Sequence, residues 1–125
     1  MTSRTIKLKR VYEAPESSDG KRILVERLWP RGVSKSYAEL DCWLKEIAPS
    51  TDLRKWYNHQ LDRWEVFQEK YKAELKQNPD AVSELYRICQ HHPVTFVYAA
   101  RDEQHNSAVV LKDFLEMSKE KMTTG

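Results

Sequence analysis

The sequence predicts a small α/β domain: a layered sheet of three or more strands, mostly parallel, packed with helices. Three observations carry this. Residues 23–25 and 94–100 are short apolar runs of the kind found in strands buried on both faces. Segments with helical periodicity fill the chain between them, and another follows the second run. A helical crossover is the connection that two parallel strands of one sheet require.

Each element has its own justification. Residues 5–12 alternate, with Ile6, Leu8, Arg10 and Tyr12 on one side and Lys7, Lys9 and Val11 on the other. That pattern predicts a half-buried strand near an edge, with the lysines on a solvated face. Residues 13–20 carry Pro15, Ser17, Ser18, Asp19 and Gly20 and read as a loop. The second strand spans 21–29, until Pro30 and Gly32 stop it.

Ser34 or Ser36 can cap a helix with Tyr37, Leu40, Leu44 and Ile47 at helical spacing, ended by Pro49. An extended stretch over 42–45 is the competing reading, because Trp43 lies off that stripe. Ser50 is a second N-cap, with Asp52 in the first turn and Leu53, Trp56 and Tyr57 on the apolar side.

Residues 62–77 form the clearest helix. Trp64, Phe67, Tyr71 and Leu75 make one stripe, with Glu65, Glu69, Lys72 and Lys76 outside it. Asn78 and Pro79 break it, and Asp80 caps a helix carrying Val82, Leu85, Tyr86 and Cys89. Residues 94–100 are a central strand and 101–106 a tight loop. The last helix carries Val109, Val110, Phe114, Leu115 and Met117, and 119–125 is expected to fray.

Length and composition fit one domain over 1–125, soluble and rich in charge: 40% of residues are hydrophobic and 32% charged. The net charge is only +2, which excludes a basic nucleic-acid coat. Affinity for phosphate must then come from local clustering. Cys42 and Cys89 sit in no CxxC pattern. The start of the chain lacks an apolar core of signal-peptide length, and no run approaches a membrane span, so a cytoplasmic protein without membrane contact is expected. His59, His91 and His92 lack metal-ligand spacing, and there is neither a GxGxxG nor a P-loop. No metal, dinucleotide or other cofactor is expected.

The chemistry is expected at the carboxyl ends of the strands, where open α/β sheets hold ligands. Arg10 and Tyr12 end the first strand, Arg27, Trp29 and Arg31 the second, and Tyr98 and Arg101 the third. If the three run parallel, these cations and rings share one edge with the start of the last helix, whose free N–H groups add positive potential. A hairpin between the first two strands would instead send Arg10 to the opposite edge. The expected ligand-binding residues are Arg10, Arg27, Trp29, Arg31, Arg101 and Asn106. Asp102, with Glu103 as the alternative base, and His105 as a proton shuttle are the catalytic candidates. The expected partner is an anionic small molecule, phosphate or nucleotide-like, handled by a small enzyme or binding protein. The alternative is a non-catalytic module that binds nucleic acid or protein, with Lys35, Lys45, Arg54 and Lys55 extending the basic surface. A third reading makes the charges a salt-bridge network with Glu26, Asp41 and Asp102.

The strings RVY at 10–12, LVERLWPRG at 24–32, WLKEIAPS at 43–50, LRKW at 53–56, RW at 63–64 and YAARD at 98–102 resemble the DUF488 family, in its YeaO-like branch. The resemblance runs from about Ile6 to Leu115. It labels the family and implies no particular activity. Other branches carry a Cys-His-Arg element where this chain has residues 99–106. No cysteine lies there, so thiol chemistry does not carry over.

Overall fold

The structure is a computed structural model that describes residues 6–124, with the side chains described through Met117. The described residues form one sheet of four strands: β1 (Ile6–Arg10), β2 (Lys21–Leu24), β3 (Cys42–Trp43) and β4 (Val94–Tyr98). Their order is β1-β4-β2-β3, and every neighbouring pair is parallel. The last strand in sequence is therefore central, and all of its residues are buried. The hairpin reading of the first connection does not hold. Residues 11–20 return across the sheet to the starting edge, so that Ile6 and Lys21 both lie opposite Val94. Gly20 makes this return feasible. Its φ is +65°, and a Cβ there would overlap the Pro93 carbonyl that accepts the Lys21 N–H.

Among the described residues five α-helices pack with the sheet: α1 (Lys35–Ala38), α2 (Thr51–Tyr57), α3 (Trp64–Lys76), α4 (Pro79–His91) and α5 (Ser107–Thr124). The single helix expected between Tyr37 and Ile47 is three pieces. α1 is one turn capped by the Ser34 hydroxyl, β3 follows, and Lys45–Ile47 is a 3-10 turn. The competing extended reading was right at Cys42 and Trp43, which pair with Ile23 and Leu24. β2 is shorter than its apolar run implied, because Glu26 intervenes. Its carboxylate accepts the Ala99 N–H at 3.0 Å, where a continuing strand would have offered a backbone carbonyl. α4 begins at Pro79 with Asn78 in the cap position, two residues ahead of the expected Asp80 cap. α5 runs as a helix through Thr124.

The sheet has two unlike faces. On one, Ile6, Ile23, Val94, Phe96 and Tyr98 pack against Leu53 and Tyr57 of α2, Phe67, Tyr71 and Leu75 of α3, Leu85 of α4, and Val110, Leu111 and Leu115 of α5. The helical stripes read from spacing are this core. The other face is covered by loops. Its carboxyl half is apolar, with Val11, Leu24, Ala38 and Val97 under Trp29 and Trp43. Its amino half is ionic. Buried Arg22 donates to Asp19 at 2.6 Å and to the Ala38 carbonyl, while Lys9 donates to Asp19 and Glu16. Lys9 thus belongs to a closed network and not to a solvated face. Burial pushes the Asp19 carboxyl up, but the Glu16 N–H, Lys9 and Arg22 outweigh it and hold its pKa below the usual aspartate value.

Candidate functional site

The parallel sheet brings the ends of β2 and β4 together, and the helical layer leaves a cavity of about 280 Å³ beside them. Glu26 and Arg27 enter it from the end of β2, Ala99 and Ala100 from the end of β4. Ala48 and Pro49 come from the turn before α2, Arg54 and Tyr57 from α2, and Phe67 from α3. His59 and the residues 105–107 complete the lining. The volume lies just below the usual range for small-molecule pockets, which suits a small ligand.

Its wall is aromatic. The Tyr57 and Phe67 rings stack at 4.5 Å, Trp64 lies 5.8 Å from Tyr57, and His105 meets Trp64 edge-on at 5.1 Å. Burial, with Asp102 nearby, pushes the Tyr57 hydroxyl up, so it stays a neutral donor at physiological pH.

Glu26 is the one carboxyl group in the lining. Its Oε2 takes the Ala99 N–H. Among the described residues no hydrogen bond reaches its Oε1. Burial pushes its pKa up, opposed by the Ala99 N–H and by the charges of Arg54 and His59. Arg27 is only partly available. Its Nε donates to the Pro49 carbonyl at 3.1 Å and one terminal nitrogen to that of Ala48 at 3.0 Å, which fixes the turn that forms one wall. Arg54 and His59 are exposed and stand at the mouth.

The expected site residues are divided among several roles. Arg27, His105 and Asn106 line the cavity. Asp102 holds the loop: it accepts the N–H groups of Gln104 and His105 and faces His105 Nδ1 at 2.9 Å. Those backbone bonds, foremost that from Gln104, lower its pKa, and His105 adds to the effect. Asn106 is buried and caps α5, its Oδ1 accepting the Val109 N–H and its amide donating to the Asp102 carbonyl. Arg10 donates to the Ala100 carbonyl at 2.9 Å and lies over the Tyr12 ring, at the same sheet edge but outside the cavity lining. Arg31 and Arg101 are exposed and also outside it. Trp29 lies over the opposite face of the sheet, its indole N–H on the Val33 carbonyl and its ring 5.3 Å from Trp43. Of the four arginines only Arg27 lines this cavity, and Trp29 packs on the opposite face.

Sequence reasoning missed Glu26 as a lining group and gave Arg54 only a place on a wider basic surface. A glutamate between Val25 and Arg27, inside an otherwise apolar strand run, was the available signal. A carboxyl there must find a donor or a cavity.

The architecture defines a class: a small, all-parallel α/β domain with a compact mixed-polarity cavity at the carboxyl edge of its sheet. Within that class, the chain belongs to the DUF488 family. Residues 5–124 match the family model described as the inactive DUF488-N3 subclade. It is 46% identical over 110 residues to uncharacterized protein YeaO of Escherichia coli strain K12, covering 88% of this chain and 96% of that one. It is 38% identical over 110 residues to uncharacterized protein Mb3100c of Mycobacterium bovis, and equally to uncharacterized protein Rv3073c of Mycobacterium tuberculosis strain H37Rv. Each of these matches covers 88% of this chain and 92% of the relative. No solved structure matches the chain. Among the described residues no helix is long and apolar enough to cross a membrane.

Proposed function

We propose that this protein is a cytoplasmic binding domain for a small anionic molecule, phosphate-bearing or nucleotide-like, seated in the cavity at the carboxyl ends of β2 and β4. The observation that carries the reading is the lining itself. Arg27, Arg54 and two histidines surround a space walled by Tyr57, Phe67 and alanines. Cations on part of an apolar, aromatic wall suit a ligand with a charged end and a flat or apolar body. The compact cavity favours such a ligand over an extended strand, which needs an open basic groove. The subclade's description as inactive favours binding over turnover.

A second reading rests on one contact. Asp102 and His105 pair at 2.9 Å at the rim, and an oriented imidazole beside a cavity is the arrangement of a general base. In that reading the bound anion is also a substrate.

The test is a thermal-shift and NMR titration of the full chain with inorganic phosphate and nucleoside monophosphates. Binding to the native state raises the melting temperature by mass action. Amides of Ala99, Ala100 and His105 should shift, and Arg54→Ala should weaken the effect. No shift at millimolar ligand, in either melting temperature or cavity amides, overturns the proposal. Turnover that His105→Ala abolishes would establish the second reading.

A further inference from the structure

We infer that the ligand carries a hydrogen-bond donor edge of the guanine type, a ring N–H beside an exocyclic amine, and that Glu26 is the residue that reads it. This rests on the small-anion reading above and names the class of molecule that satisfies the whole cavity.

Glu26 offers the cavity an open acceptor that an anion alone would not use. An ionised carboxylate has two oxygens and about four acceptor sites. One oxygen takes the Ala99 N–H, and the other receives nothing from the described residues. The group is part-buried and lines the cavity. A bound phosphate would face it with like charge. A donor edge gives the open Oε1 a fixed partner in place of solvent. The remaining walls suit a planar ring: Tyr57 and Phe67 are buried aromatic residues, and Ala48 and Ala99 are small enough to admit one.

The polarity of the cavity also runs in one direction. Glu26 is held against β4, whereas Arg54 and His59 are exposed at the mouth. A ligand with donors at its inner end and an anion at its outer end matches both. A nucleoside monophosphate of guanine type has that polarity. A ring that presents a carbonyl in place of the amine sets two acceptors against each other. A site built to bond an N–H discriminates strongly against such an analogue, because its own group is then left unpaired.

Three monophosphates that differ at one ring position, together with inorganic phosphate, provide the test. Guanosine monophosphate has the amine, inosine monophosphate has hydrogen there, and xanthosine monophosphate has a carbonyl. Calorimetric titration of the full chain should rank them in that order, with guanosine at least about tenfold tighter than xanthosine. Glu26→Gln should bring that ratio close to one and, because it removes a like charge from the cavity, should not weaken phosphate binding. If guanosine and xanthosine bind equally, or the ratio survives Glu26→Gln, the inference is overturned. Phosphate or nucleotide binding that is lost in Arg54→Ala would then still support the anion reading. If neither phosphate nor any nucleotide binds, both fail. Should Glu26→Gln not fold, the guanosine-to-xanthosine ratio in the unaltered chain decides alone.

Discussion

Two clusters of charge lie in this small domain, and their fates differ. On the loop-covered face, Asp19, Arg22, Lys9 and Glu16 close on one another, and Asp19 and Arg22 are 2% and 4% exposed. Beyond the ends of β2 and β4, Glu26, Arg27, Arg54, His59 and His105 surround open space. Both combine carboxylate with arginine; the first adds Lys9 and a second carboxylate, the second adds two histidines. The difference is whether the partners fill the available bonds. The Asp19 carboxyl, saturated by donors, has a lowered pKa, whereas the Glu26 carboxyl, part-buried with one donor, has a raised one. A buried network that satisfies itself holds the fold, whereas a cluster with an open acceptor and room beside it is the one to which we assign the proposed ligand.

The sharpest way to break the comparison is Asp19→Ala. It leaves the buried Arg22 guanidinium without its anion, and removal of one partner of a buried pair costs roughly 3–5 kcal/mol. Denaturant melts should show that loss, partly recovered by a second change of Arg22→Met. A loss below about 1 kcal/mol, an ordinary surface effect, would mean that the network is not structural.

Arg54→Ala should do the reverse. Arg54 is exposed, so stability should stay within about ±0.5 kcal/mol, while the affinity for an anionic ligand falls by roughly 1.5–3 kcal/mol. Unchanged affinity would remove Arg54 from the site. Asn106→Ala lies between the two regions in character. It deletes the α5 cap and should cost about 1 kcal/mol of stability, read from the same melts.

The pH dependence should separate the clusters by sign. Asp19 has its folded pKa below the ordinary aspartate value of 3.8, so its stabilisation is complete above that value and is lost as pH falls through the folded pKa. Glu26 has its folded pKa above the ordinary glutamate value of 4.5. Its protonated form favours the fold below that value, and the advantage is lost as pH rises through the folded pKa. Glu26→Gln removes the titrating group, so the variant should gain stability relative to the parent between pH 4.5 and neutrality. A variant less stable at neutral pH than at pH 4, relative to the parent, would contradict the assigned direction.

The smallest effect is expected at Arg31. It is exposed and outside the lining, so Arg31→Ala should change stability by no more than about 0.5 kcal/mol and should leave ligand-induced shifts of the cavity amides intact. A clear loss of binding would extend the site along the sheet edge toward Tyr12, whose hydroxyl donates to the Arg31 carbonyl.

The sequence by itself determined the fold class, the buried central strand at 94–98 and the stripe of Phe67, Tyr71 and Leu75. Each is written in the periodicity of a single element, and burial of one face enforces that periodicity wherever the element packs. It also pointed to the carboxyl ends of parallel strands as the place to look for a ligand, and the parallel pairing carries the carboxyl ends of β2 and β4 to one edge beside the cavity. The tertiary structure alone decided which cations reach the cavity. Arg54 arrives from α2, a helix whose approach depends on the packing of Leu53 and Tyr57 on the sheet. Trp29 follows Arg27 by two residues yet covers the opposite face. Arg27 is tied to carbonyls 21 and 22 positions away, at Ala48 and Pro49. Chain order records which residue types are available. Hydrogen-bond partners are set by distances between elements far apart in sequence, and those distances exist only once the helices have packed against the sheet.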